Sequence, residues 1–212
     1  MQVWKFGGTS VGKPERMKSI RQLITEDGQP KIVVLSALSG STNTLLSISE
    51  SLNAGNTSEA KAKATELRAH YDQFLIELYS TPAGLGKGQA IVEKEFNFID
   101  SLIATAPYTG KQEKEMVALG ELLSTQIFEA FLQEEGVSSA LLPALDFMVI
   151  DEDNEPVLSV IEQKLATVLA PVKGKQIYVT QGFICRNPAG EVDNLKRGGS
   201  RSEEHTSELQ SP

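Results

Sequence analysis

The chain is predicted to be an α/β protein on three observations near its N-terminus. Gln2–Phe6 is a short run carrying Val3, Trp4 and Phe6, and it stops at Gly7-Gly8, the pattern of a buried strand that ends where the backbone turns sharply. Pro14 then opens a stretch in which Met17, Ile20, Leu23 and Ile24 recur at helical spacing, closed by Gly28-Gln29-Pro30. Lys31–Ser36, KIVVLS, is a continuous apolar run typical of a strand buried on both faces. Together they form a β-α-β unit whose helix packs on the sheet.

The glycine turn has a chemistry of its own. Glycines lack Cβ atoms, so Gly7 and Gly8 let the backbone approach an anion closely, while successive N–H groups and the hydroxyls of Thr9 and Ser10 point donors at it. Lys5 adds a point charge beside them. Phosphoryl transfer depends on positioning and on positive charge near the moving group. The alternative is a plain turn, since Gly-Gly after a strand is commonly no more than that. A Walker A loop is excluded because its lysine follows the glycines.

Ala37–Asn43, ALSGSTN, follows the second strand and leads into the apolar spacing of Leu45, Ile48 and Leu52. Ligands bind at such strand ends in open parallel sheets, although N-capping by Thr42 or Asn43 alone accounts for the hydroxyls and is the reading the pattern favours. Ser58–Tyr79 and Gly88–Thr105 are predicted helices, separated by the breaker TPAGLGKG. A further helix spans about residues 111–135, with Met116, Leu119, Leu123, Ile127 and Phe131 as its stripe. Gly120-Glu121 interrupts it. A mid-helix glycine costs about 1 kcal/mol, which suggests close approach by a neighbour or ligand, and a carboxylate there is ordinarily solvated.

Ser138–Leu142 and Phe147–Ile150 are predicted as short strands, and 151–155 as a solvated acidic loop that lacks the glycine and distal glutamate of a calcium-binding loop. Leu158, Ile161, Leu165 and Val168 mark another helix. Gln176–Ile184, QIYVTQGFI, is predicted as one buried strand, and Asn187–Gly190 as the turn of a hairpin. Asn194–Ser200, NLKRGGS, forms a second basic glycine loop in which Arg197 can grip a carboxylate in a bidentate fork.

Composition narrows the classes. The 212 residues, 40% of them hydrophobic, suffice for one large or two small domains. No apolar run approaches the ~20 residues of a membrane span and no signal pattern precedes the glycine turn, so a cytoplasmic protein without membrane partners is expected. The net charge of −8 argues against a nucleic-acid partner. The single cysteine, Cys185, is expected to be a buried structural thiol.

The segments K-F-G-G-T-S-V, V-L-S-A-L-S-G-S-T-N, L-G-E-L-L-S-T, T-Q-G-F-I and R-G-G-S, in this order, resemble those of aspartate kinases in the amino acid kinase superfamily. The resemblance covers about residues 1–200. It implies a three-layer sandwich with a mostly parallel central sheet, of which this chain is the N-terminal, amino-acid-binding lobe. The implied reaction is transfer of the γ-phosphoryl group of ATP, with Mg2+, to the β-carboxylate of L-aspartate, opening lysine, threonine and methionine biosynthesis. Lys5 would stabilise the transferring group, Gly7, Gly8, Thr9 and Ser10 would line the phosphates, and Thr42, Glu121, Arg197 and Ser200 would hold aspartate. No metal ligand is assignable, and the full-length protein is expected to be a homo-oligomer. A related kinase with another acidic acceptor is the alternative within the superfamily.

The resemblance ends at Arg201. Residues 201–212, RSEEHTSELQSP, lack periodicity and resemble the translation of a sequencing adapter. They are expected to be an unstructured artefact, so His205 is no site. The rest of the kinase domain, with much of the nucleotide site, is expected to lie outside this chain, which would then be an inactive amino-acid-binding fragment.

Overall fold

The computed structural model describes residues 1–195; Arg197, Ser200 and His205 lie outside the described residues. The β-α-β unit forms as the sequence predicts. Strand β1 (Gln2–Phe6) pairs in parallel with β2 (Lys31–Leu35), and between them run a short helix α1 (Gly8–Val11) and α2 (Pro14–Thr25). On α2, Met17, Ile20 and Ile24 are buried, but Leu23 points outward. The stripe is narrower than the spacing suggests because α2 meets the core along one edge.

The remaining strands extend the sheet on one side only. β4 (Ile177–Gln181) lies parallel to β2, and β3 (Ser139–Leu141) parallel to β4, giving the order β1-β2-β4-β3. β1 is therefore an edge strand, and none of its residues is fully buried, Val3 being 65% exposed. The expectation of a buried first strand is corrected on this point. β2 alternates rather than burying both faces equally: Lys31, Val33 and Leu35 are buried, whereas Ile32 and Val34 are half-buried.

The well-covered face carries the helices α3 (Ser41–Asn53), α4 (Thr57–Leu78), α5 (Pro82–Ala104) and α6 (Gly110–Glu134), whose stripes join Val33, Leu35, Ile177 and Val179 in the main core. The breaker predicted before Gly88 lies inside α5. Thr81 caps its start by accepting from the Gly84 N–H at 3.0 Å, and Pro82 takes the first turn. Its glycines serve packing: a Cβ on Gly88 would stand 2.5 Å from the Tyr79 ring, and one on Gly84 would stand 2.3 Å from Glu134.

On the opposite face, α7 (Ala144–Phe147) and α8 (Leu158–Leu169) pack beside Ile32, Tyr178 and Ala140. α7 occupies the turn before the second predicted short strand, Phe147–Ile150, and of that strand only Val149 and Ile150 pair, in isolated bridges. No residue of α8 is fully buried. Between α8 and the β1-β2 side of the sheet runs an apolar trough of about 410 Å3, lined by Val3, Val34, Phe147, Leu158 and Leu165 among others. The predicted strand Gln176–Ile184 breaks at Gly182-Phe183; β5 (Ile184–Arg186) then pairs antiparallel with β6 (Val192–Asn194), the predicted hairpin. Cys185 in it is buried, and burial pushes its thiol up to about 12, as suits an inert structural residue. No described helix is long and apolar enough to cross a membrane.

Candidate functional site

At the C-terminal ends of β1, β2 and β4 the loops enclose a cavity of about 390 Å3. Its lining joins Gly8 and Thr9 from the first glycine loop, Ser36–Gly40 and Thr42 from the second loop, and Val117, Glu121 and Phe183. Strand ends at a sheet's carboxyl edge are where open α/β proteins place ligands.

The two loops are pressed together by their small residues. A Cβ on Gly8 would lie 3.0 Å from the Ala37 carbonyl oxygen, and one on Gly12 would lie 2.6 Å from the Ser39 Cβ. Gly7 does not form a left-handed nest. Its backbone is extended, and it starts α1, whose first N–H groups have no intrahelical partner. The donors expected from a turn are therefore those of a first helical turn, and of the predicted set Gly8 and Thr9 face the cavity while Gly7 and Ser10 are not in its lining. The Arg16 guanidinium, which sequence reading missed, donates to the Thr9 carbonyl.

Capping is not what occupies Thr42. The N-cap of α3 is Gly40, at φ 88°, a left-handed conformation that favours glycine. The Ser41 hydroxyl accepts from the Tyr71 phenol at 3.0 Å. Thr42 thus sits in the first turn of α3 and lines the cavity. Gly120 explains the approach of α6, since a Cβ there would stand 2.9 Å from the Ala37 Cβ and 3.7 Å from the Thr42 hydroxyl. The close neighbour the mid-helix glycine predicts is the Thr42 loop. Ser124, one turn on, donates to the Ser36 carbonyl at 2.8 Å and pins the same loop.

Glu121 is the buried charge of the site, 5% exposed. It is not solvated; its Oε2 accepts from the Gly182 N–H at 3.0 Å and the Phe183 N–H at 2.8 Å. This is why the predicted long strand breaks there, as two amides leave the sheet ladder for a carboxylate. Burial pushes the Glu121 carboxyl up to about 7, opposed by the backbone N–H groups of Phe183, Gly182 and Ile184 and by the charge of Lys5. Lys5 reaches Glu121 from outside the cavity: it lines the apolar trough, and its Cε would stand 3.8 Å from a Cβ on Gly182.

Among the described residues no group of three His, Cys, Asp or Glu side chains is gathered to hold a metal ion. The arrangement suits a small ligand with a cationic group at Glu121 and anionic groups at the loop amides and hydroxyls.

The profile of the amino acid kinase family matches residues 1–200. The chain belongs to this family. Among its relatives, lysine-sensitive aspartokinase 3 of Escherichia coli is 29% identical over 202 residues, covering 93% of this chain and 44% of the relative. Chloroplastic aspartokinase 1 of Arabidopsis thaliana is 30% identical over 213 residues, covering 93% of this chain and 36% of the relative. The fold matches E. coli aspartokinase III solved with aspartate and ADP (TM-score 0.76, 27% identity) and with lysine and aspartate (TM-score 0.78, 27% identity). Each match covers 94% of this chain and 44% of that structure's chain. The chain therefore spans less than half the length of these aspartokinases.

Proposed function

We propose that this chain is the amino-acid-binding lobe, residues 1–200, of an aspartate kinase, a phosphotransferase that moves the γ-phosphoryl group of ATP onto the β-carboxylate of L-aspartate. The observation that carries the reading is Glu121, a buried carboxylate facing a small cavity shared with Thr42 and the Gly8-Thr9 loop. An α-ammonium group answers that carboxylate by a charge-assisted hydrogen bond. The hydroxyl of Thr42, joined by Arg197 and Ser200, holds the acceptor's carboxylates. A relative solved with aspartate and ADP supports an amino acid and a nucleotide as the ligands.

In this reading the first amides of α1 and the hydroxyl of Thr9 receive phosphate oxygens, with close packing leaving no room for a side chain at Gly8 or Gly12. Lys5, beside Glu121 and Gly182, lends positive charge to the transfer. Magnesium would arrive on the nucleotide phosphates, where it would supply charge neutralisation. Catalysis is then positioning plus electrostatics, with no covalent intermediate on the protein.

Titration calorimetry of the purified chain with L-aspartate at pH 8 tests the reading. Binding is expected, weakened at least tenfold by Glu121→Gln. Aspartate binding that is equal in the two proteins would show that Glu121 meets no ammonium group, and the assignment would fail.

A further inference from the structure

A ring of hydrogen bonds and backbone runs through Glu121 and the end of β4. Gln181, the last residue of β4 and 3% exposed, spans two elements with its amide: Oε1 accepts from the Ala144 N–H at 2.7 Å, and Nε2 donates to the Thr125 hydroxyl at 2.6 Å. Thr125, fully buried, passes that bond on by donating to the Glu121 main-chain carbonyl at 2.7 Å. From Glu121 the side chain returns to Gly182 and Phe183, the two residues after Gln181. The ring therefore closes through one turn of α6 and one strand exit.

Every other residue of β4 fills its site with an aliphatic, aromatic or threonine side chain, and all of them are buried. A buried amide is costly unless both its ends are satisfied. Here they are, by one N–H donor and one hydroxyl acceptor. A carboxylate or an aliphatic chain at this position could not match both partners at once.

We propose that Gln181 is a positioning residue of this site: by clamping the strand exit to Thr125 and Ala144, it keeps the Gly182 and Phe183 amides on Glu121 and so sets the carboxylate's orientation and charge for an ammonium-bearing ligand. The inference rests on the reading of Glu121 as the ammonium partner. Release of the clamp lets the strand exit relax, the amide bonds lengthen, and the buried anion loses its main support. The charge facing Glu121 from β1 is Lys5. The β4 exit contributes N–H groups only, and the first turn of α3 contributes the neutral Thr42.

The test is the Glu121 carboxyl titration followed by carbon NMR on the ligand-free chain, its signal assigned by loss in Glu121→Gln. In Gln181→Met, which keeps the volume and removes both bonds, the midpoint is expected to rise by about one pH unit from its wild-type value near 7. L-Aspartate should then bind about fivefold more weakly at pH 7, with most of the loss recovered at pH 9. A merely structural glutamine would lower thermal stability and leave the midpoint in place. Thr125→Val removes the same clamp from the other end, and it decides the matter if Gln181→Met does not fold. An unmoved midpoint in a folded variant overturns the proposal. Failure of the wild-type chain to bind aspartate would instead overturn the functional reading, while the ligand-free midpoint still decides the role of Gln181.

Discussion

On one face of the sheet Val33, Leu35, Ile177 and Val179 are fully buried beneath the α3–α6 layer, whereas on the other face Ile32 and Val34 stay half-buried beside α8, none of whose residues is buried. Both faces belong to the same parallel strands, so strand composition does not explain the difference. Cover does. The helical face meets long stripes that include the fully buried Tyr71, Phe128 and Phe131. The other face meets the four-residue α7 and the 12-residue α8, with an apolar trough beside them. Parallel strands are ordinarily hydrophobic on both faces because helices cover both; here the described elements cover one face fully and the other in part, burying Tyr178 and Thr180 of β4 while Ile32 and Val34 of β2 stay half-buried.

The largest effects should come from the finished face. Phe128, fully buried with its ring tilted against that of Phe131 at a centroid distance of 6.3 Å, anchors α6. Phe128→Ala is expected to cost about 3–5 kcal/mol by denaturant unfolding, against about 1 kcal/mol for Leu165→Ala on α8. Equal costs would mean that the two faces are equally packed, and the comparison would break.

Next is the pH dependence of Glu121. Its folded pKa, about 7, is raised above the ordinary glutamate value of 4.5 by burial. Folding therefore retains the proton, and this contribution to stability is complete below about pH 4.5 and is lost as pH rises through 7. Glu121→Gln keeps an acceptor for the two amides without the ionisation cost. It should stabilise the chain by up to about 3 kcal/mol at pH 8 and by little at pH 4, while weakening aspartate binding. Parallel stability curves for the two proteins between pH 4 and 8 would contradict the buried-carboxylate account.

A smaller effect separates packing from propensity at Gly88. Helix propensity alone predicts a gain of about 1 kcal/mol for Gly88→Ala. The new methyl would meet the Tyr79 ring at 2.5 Å and Leu75 at 3.0 Å, so a loss of about 1–3 kcal/mol is expected. Thermal unfolding with a raised midpoint would show that the α4-α5 contact yields.

The smallest effect belongs to the trough. Leu158 is 75% exposed at its rim, so Leu158→Lys should change stability by no more than about 0.5 kcal/mol while reducing concentration-dependent association seen by light scattering. A loss above 2 kcal/mol would mean that the trough is already filled.

Local chemistry was legible residue by residue. The β-α-β opening, the helices over Thr57–Leu78 and Gly110–Glu134, and the hairpin at Asn187–Gly190 are written in apolar period and in glycine and proline placement, which act within a few residues. So were Gly120 as a close-approach glycine and the loop carrying Thr42. What the sequence could not contain is which distant segment meets which. The glycines at Gly84 and Gly88 look like breakers until Tyr79 and Glu134 stand against them. The run KIVVLS looks buried on both faces until β1 becomes an edge and α8 the partial cover on that side. Gln176–Ile184 looks like one strand until the Glu121 carboxylate, 61 residues away from Gly182, draws two amides out of the ladder. A buried charge is satisfied by whatever donors the fold brings to it, and local pattern carries no record of those donors. For that reason the residue Glu121 was readable from the chain, while its burial, its amide partners and the Gln181 clamp were decided only by the packing of α6 against the end of β4.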